Sequence, residues 1–159
     1  MSLIVEKSAG VVTLTLNRPQ VRNAVDAEIM IHLREEMELH SKAADTRVFV
    51  ITGAEGAFSS GADIQAALQA GVTPLQAQQI LTEAYAPAIR GIRNCPQPVI
   101  AAVDGMAAGI GCDLALVCDL RLVSERGKFA ELFIRVGLIP TAAGRTCYRV
   151  WSVSAERLR

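Results

Sequence analysis

The sequence predicts an α/β domain with largely parallel strand pairing. Two continuous apolar runs, "VFVITG" at 48–53 and "PVIAAVDG" at 98–105, read as strands set deep in a sheet. Between and around them lie segments with helical spacing, so strand and helix alternate along the chain. Each apolar run is followed by a stretch of small residues, "FSSGADI" at 58–64 and "GMAAGIGCDL" at 105–114. That is the carboxyl end of a strand, where open α/β sheets bind ligands.

The elements follow in order. Residues 3–17 predict two strands around a turn at Ser8–Gly10, with Val12, Leu14 and Leu16 alternating against Thr13, Thr15 and Asn17. Pro19 ends the second strand. Asp26 is placed as the cap of an amphipathic helix over 26–43, with Ile29, Leu33 and Met37 four apart. After the strand at 48–53, "TPLQ" at 73–76 offers a Thr cap, Pro in the first turn and Gln three after the cap. It opens a helix running towards Asn94 and kinked at Pro87. The strand at 98–105 leads into a Gly-rich turn and a helix, and "DLRLVSE" at 119–125 is a further strand. No linker, repeat or low-complexity tract divides the chain.

Composition narrows the function. The 159 residues suffice for one domain with a real core; 51% are hydrophobic and 4% aromatic, so that core is aliphatic. Sixteen Lys and Arg balance sixteen Asp and Glu, and no basic run of the kind nucleic acid needs is present. No segment approaches the ~20 apolar residues of a membrane span, and "MSLIVEKSAG" does not read as a signal peptide. Cys95, Cys112, Cys118 and Cys147 contain no C-x-x-C pair, and His32 and His40 are the two histidines. That spacing argues against a zinc site and for reduced thiols in a cytoplasmic protein.

The small residues of 58–64 let a ligand reach the backbone itself. The stretch at 105–114 adds a helix N-terminus, whose free N–H groups favour negative charge. Two such N–H groups aimed at one point form an oxyanion hole. Asp113 enters that helix as a candidate acid or base, or as a charge that merely complements the helix terminus. Gly105, Gly109 and Gly111 permit tight turns or close packing. Asp63 reads as a loop-capping carboxylate.

Taken together and in order, "LNRPQVRNA" (16–24), "FSSGADI", "PVIAAVDGMAAGIGCDLALVCDLRLVSE" (98–125) and "VGLIP" (136–140) resemble the enoyl-CoA hydratase/isomerase (crotonase) superfamily. The resemblance implies a crotonase-like ββα spiral core over residues 1–140, lacking most of the usual C-terminal helical region. It implies an acyl-CoA substrate, with the thioester oxygen held by the backbone amides of Ala62 and Ile110. Ser60, Ala62 and Ile64 match the pocket for the CoA adenine, and Gly109 belongs to the same binding backbone. Arg22 sits where a basic residue often meets the CoA phosphates, and reads equally as a solvated surface charge. Neither a metal nor a redox cofactor is implied, because CoA is part of the substrate. A homo-oligomer, trimer or hexamer, is expected.

The hydratases of this superfamily divide their work over two Glu. Here the first position is Asp113 and the second is Phe133, which cannot transfer a proton. Glu131 lies two residues away and points elsewhere. Isomerases often use one carboxylate, sometimes right after the Pro of "GLIP", where this chain has Thr141. The last residues, 141–159, depart from the family pattern. "PDGGGT" written CCG GAC GGC GGC GGG ACG becomes P-T-A-A-G-R on loss of one G, which matches this chain from Pro140 to Arg145. The tail therefore reads as out of frame, with Asp the original residue at 141, or as that of a divergent short paralogue. Isomerase chemistry is favoured over hydration. The alternatives are another reaction of the superfamily, or a degenerate protein that binds acyl-CoA or other subunits without turnover.

Overall fold

A computed structural model of the chain describes residues 1–132. Expectations for Phe133, Thr141, Cys147 and the tail lie outside the described residues. Strands β1 (Leu3–Ser8), β2 (Val11–Leu16), β3 (Val48–Gly53), β4 (Val99–Val103) and β6 (Leu120–Val123) form one sheet in the order β1-β2-β3-β4-β6. The β1–β2 hairpin is antiparallel, and the remaining neighbours pair in parallel. A second sheet joins β5 (Met106–Ala108) to β7 (Lys128–Ala130), again in parallel.

Register puts the core on one face. Val12 pairs with Phe49 and Phe49 with Val99; Leu14 pairs with Ile51 and Ile51 with Ala101. All six are fully buried. Side chains in register on parallel strands point the same way, so these rows form a continuous apolar surface. Helix α1 (Ala27–Ser41) lays Ile29, Met30, Leu33 and Met37 against it, and α4 (Ala86–Arg93) adds Ala88, Ile89 and Ile92. Each large buried side chain here contributes about 1.5–3 kcal/mol relative to exposure. The opposite face of β3 and β4 is only half-buried, which differs from the expectation of strands covered on both sides. Among the described residues, α1 and α4 cover one face alone, so burial alternates along each strand.

The caps form as the sequence predicts. The Asp26 carboxylate accepts from the Ile29 amide at 2.9 Å. Thr73 and Gln76 make a reciprocal capping box at the start of α3 (Pro74–Ile80). The helix expected over 73–94 is interrupted sooner than Pro87. A π turn over Leu81–Tyr85 intervenes, and the Ala86 N–H reaches the Leu81 carbonyl five residues back. Pro87 has no N–H and its ring crowds the preceding turn, and the widened turn makes room for it. Three further elements differ from the expectation: β5 with its partner β7, and α2 (Ile64–Gln69), which Asp63 caps by accepting from Ala66 at 3.0 Å. A three-residue strand is too short to show a period, and its partner lies some twenty residues away.

Candidate active site

The two small-residue loops meet directly. Ser59 and Ala107 form a parallel bridge. The Ser59 amide donates to the Met106 carbonyl, and the Ala108 amide donates to the Ser59 carbonyl, each at 2.9 Å. The Ser59 hydroxyl, fully buried, donates to the Asn23 carbonyl at 2.8 Å and accepts from the Gly61 amide at 3.2 Å. One residue thus ties together segment 21–25, loop 58–64 and the loop before α5 (Ile110–Val117). The approach tolerates no side chain at two glycines. A Cβ on Gly61 would lie 2.8 Å from the Ala108 carbonyl, and the backbone there is left-handed at φ +99°. A Cβ on Gly111 would lie 2.6 Å from the Ser59 Cβ.

This docking fixes which way the Ala62 amide points. Ala62 pairs with Val25 through bonds on either side of it: Val25 N–H to the Gly61 carbonyl and Asp63 N–H to the Val25 carbonyl, at 2.8 and 2.9 Å. In a parallel bridge the flanked residue turns its own N–H the other way. The Ala62 amide therefore faces away from segment 21–25. Ile110 opens α5, where the first amides have no partner within the helix. Gly109 before it has φ +51° and gives its N–H to the Ala130 carbonyl at 2.8 Å; a Cβ there would meet nothing within 4 Å. Asp113 is fully buried in the first turn of α5, its amide bonded to the Gly109 carbonyl at 3.0 Å.

A cavity of about 320 Å³ opens beside Ala62 and is lined by Arg22, Ser60, Ala62, Asp63 and Ile64 among others. The structure thus gathers four of the residues expected to contact CoA into one concave surface. Ser60 is held by its hydroxyl donating to Val21 at 3.0 Å and its amide donating to Arg22 at 2.9 Å. Arg22 is exposed and Ile64 is half-exposed, so each presents its side chain to whatever enters. Among the described residues, no group of three or more His, Cys, Asp or Glu is placed to hold a metal ion.

Three residues without an assigned role in the sequence analysis help to build this site. Asn23 is buried in a left-handed conformation, and its amide nitrogen donates to the Ala54 and Ala57 carbonyls at 2.8 and 2.7 Å. Arg18 binds Asp26 and Asp63 at 3.1 and 2.7 Å. The Tyr85 hydroxyl donates to the Val25 carbonyl at 2.8 Å, and burial pushes its pKa far up, helped by the charges of Asp26 and Asp63. The signal for Arg18 and Asn23 was their place in a turn broken by Pro19; Tyr85 left none beyond helical spacing.

The description Enoyl-CoA hydratase/isomerase belongs to the family model that matches residues 6–150. The chain belongs to that family. It is 39% identical over 139 residues to a protein of Rhodobacter capsulatus named a probable enoyl-CoA hydratase, covering 87% of this chain and 52% of that one. It is 36% identical over 136 residues to the 1,2-epoxyphenylacetyl-CoA isomerase of Escherichia coli, covering 85% and 52%. The crystal structure of an enoyl-CoA hydratase from Bacillus anthracis superposes with a TM-score of 0.86 at 29% identity, covering 93% of this chain and 57% of that one. The chain spans about half the length of the curated relatives it matches. Its fold is therefore the crotonase-like α/β core of the enoyl-CoA hydratase/isomerase family.

A second, larger cavity of about 490 Å³ lies elsewhere in this enoyl-CoA hydratase/isomerase core, between α5 and β6–β7. Leu116, Val123 and Phe129 give it apolar walls, and Cys112 and Glu131 also line it. Burial raises the Glu131 carboxyl, and burial with the Glu131 charge beside it pushes the Cys112 thiol far up. A thiol in that state is a poor nucleophile. Neither Ala62 nor the residues around Arg22 line this cavity, so its size does not make it the candidate active site. Glu131 faces Cys112 in this cavity. Cys112 and Cys118 are buried, Cys95 is half-buried, and the Cys118 thiol donates to the Leu114 carbonyl at 3.1 Å.

Proposed function

We propose that this chain acts on an acyl-CoA thioester, and that it moves a double bond in preference to adding water. The observation that carries the reading is the pairing of Ser59 with Ala107, which sets the Ala62 loop against the start of α5. The thioester oxygen would accept from the Ala62 and Ile110 amides while CoA occupies the cavity beside Arg22, Ser60 and Ile64, with Gly109 leaving space for its approach. Removing a proton from the acyl chain sends the electron pair towards that oxygen as an enolate. The pair returns as the proton is delivered to a different carbon. Asp113 is the residue proposed to carry that proton, since one carboxylate can remove and return it. Hydration needs a second acid, and Phe133 stands in its place. Removing one donor from such a hole costs about 10²–10³ in rate where the donor is a side chain that can be deleted.

Infrared spectra of bound [1-¹³C]crotonyl-CoA test the donor assignment. The carbonyl band moves to lower frequency on binding, and Ala62→Pro, which has no N–H, loses that displacement. An unchanged band in Ala62→Pro refutes Ala62 as the donor. With the frame restored after Pro140, the protein isomerises a 3-enoyl-CoA faster than it hydrates crotonyl-CoA; rapid hydration with Phe133 in place refutes the preference.

A second reading has its own support. Among the described residues β6 is one edge of the sheet, and Leu120 and Leu122 on it are 58% and 64% exposed. Apolar surface of this kind suits burial against other subunits. On this reading the chain binds acyl-CoA or assembles, as a trimer or hexamer, without turnover.

A further inference from the structure

Arg18 sits outside the cavity beside Ala62, yet its contacts surround the backbone that carries the proposed oxyanion donor. One guanidinium nitrogen donates to the Asp26 carboxylate at 3.1 Å and to the Ala24 carbonyl at 3.2 Å. The other donates to the Asp63 carboxylate at 2.7 Å. Residues 24 and 26 flank Val25, residue 63 adjoins Ala62, and Val25 and Ala62 are bridge partners. The guanidinium therefore spans both strands of that bridge. Each carboxylate divides its oxygens: Oδ1 of Asp26 caps α1 and Oδ1 of Asp63 caps α2, leaving Oδ2 of each for Arg18. The anchorage is firm at both ends, because Asp63 is 8% exposed and the Arg18 amide donates to the Asn23 side chain at 2.9 Å.

We infer that Arg18 is a positioning residue for the thioester site: by clamping Asp26, Ala24 and Asp63 it fixes the direction of the Ala62 N–H. The inference rests on the reading of Ala62 as an oxyanion donor. A planar fork of five donors suits this task, and a lysine does not. A lysine at 18 keeps the charge and reaches one carboxylate, leaving the bridge held on one side only. The consequence is specific. The fold and the CoA cavity remain, while the donor's aim, on which polarisation of the bound carbonyl depends, is lost.

The test is the carbonyl band of [1-¹³C]crotonyl-CoA bound to the full chain at saturating ester, so that weaker binding does not register. Arg18→Lys is expected to lose at least half of the wild-type displacement while its circular dichroism spectrum is unchanged. Asp63→Asn, which keeps an oxygen for the Ala66 cap, is expected to do the same and decides the matter if Arg18→Lys does not fold. Lys7→Met, which breaks the ion pair of Lys7 with Asp45 on the far end of β1, leaves the displacement intact. A full displacement in folded Arg18→Lys or Asp63→Asn overturns the clamp and leaves the Ala62 reading standing. No displacement in the wild type overturns that reading first, and the clamp with it.

Discussion

Replacing Gly111 and Gly91 by alanine, one at a time, should change stability in opposite directions. Both lie in helices, where alanine is favoured over glycine by about 1 kcal/mol. Neither has the positive φ that would penalise a side chain. At Gly91 a new Cβ meets only the Arg34 Cγ at 3.7 Å, an ordinary contact. The helix preference then stands nearly alone, and Gly91→Ala stabilises by about 0.5–1 kcal/mol. At Gly111 the new Cβ lies 2.6 Å from the Ser59 Cβ and 2.8 Å from both the Ser59 carbonyl and hydroxyl oxygens. Ser59 cannot withdraw, because it is fully buried and its backbone bonds to Met106 and Ala108. Overpacking against fixed atoms costs about 1–3 kcal/mol, and three contacts below 3 Å place this case at the upper end. After the helix gain, Gly111→Ala is destabilised by about 1–2 kcal/mol. Urea unfolding at equal slope reads both: the midpoint falls by roughly 1 M for Gly111→Ala and rises by roughly 0.5 M for Gly91→Ala. A midpoint for Gly111→Ala at or above wild type would show that the two loops are not in contact, and the site built on that contact would fall.

Asn23→Ala leaves the Ala54 and Ala57 carbonyls and the Arg18 amide without their partner and puts alanine at φ +56°. A loss of about 2–4 kcal/mol follows, read by the same urea midpoint. For pH, the Ala66 amide and then Arg18 hold the Asp63 carboxyl below its usual range, outweighing the desolvation that opposes them. A depressed carboxylate stabilises the fold at pH above its unfolded value and loses that contribution as pH falls through the folded one. Stability therefore declines below about pH 4, and Asp63→Asn has a shallower acid limb in urea midpoints taken from pH 6 to pH 2. An equally steep limb in that variant removes Asp63 from the acid response.

The caps and strands were legible because each is a local event. Asp26, Thr73 and Gln76 satisfy amides within three residues of themselves, and β2 alternates within six residues. The ordered motifs carried the family resemblance. The sequence also marked the loop at 58–64 as bare enough for backbone chemistry, and that loop does line a cavity. The half-buried second face of β3 and β4 was not legible, since an apolar run fits either one or two covered faces until the helices are placed.

What the sequence determined by itself is therefore the set of parts: an α/β alternation, capped helices and two small-residue loops after parallel strands. What only the tertiary structure decided is how those parts face one another. Ser59 meets Ala107 across 48 positions of chain, and Arg18 meets Asp63 across 45. No local periodicity encodes such meetings. They exist because sheet register fixes where β3 and β4 end, so the loops that follow arrive side by side. Only then do the Ala62 amide, the start of α5 and the buried Asp113 acquire directions, and direction is what chemistry at a backbone amide requires.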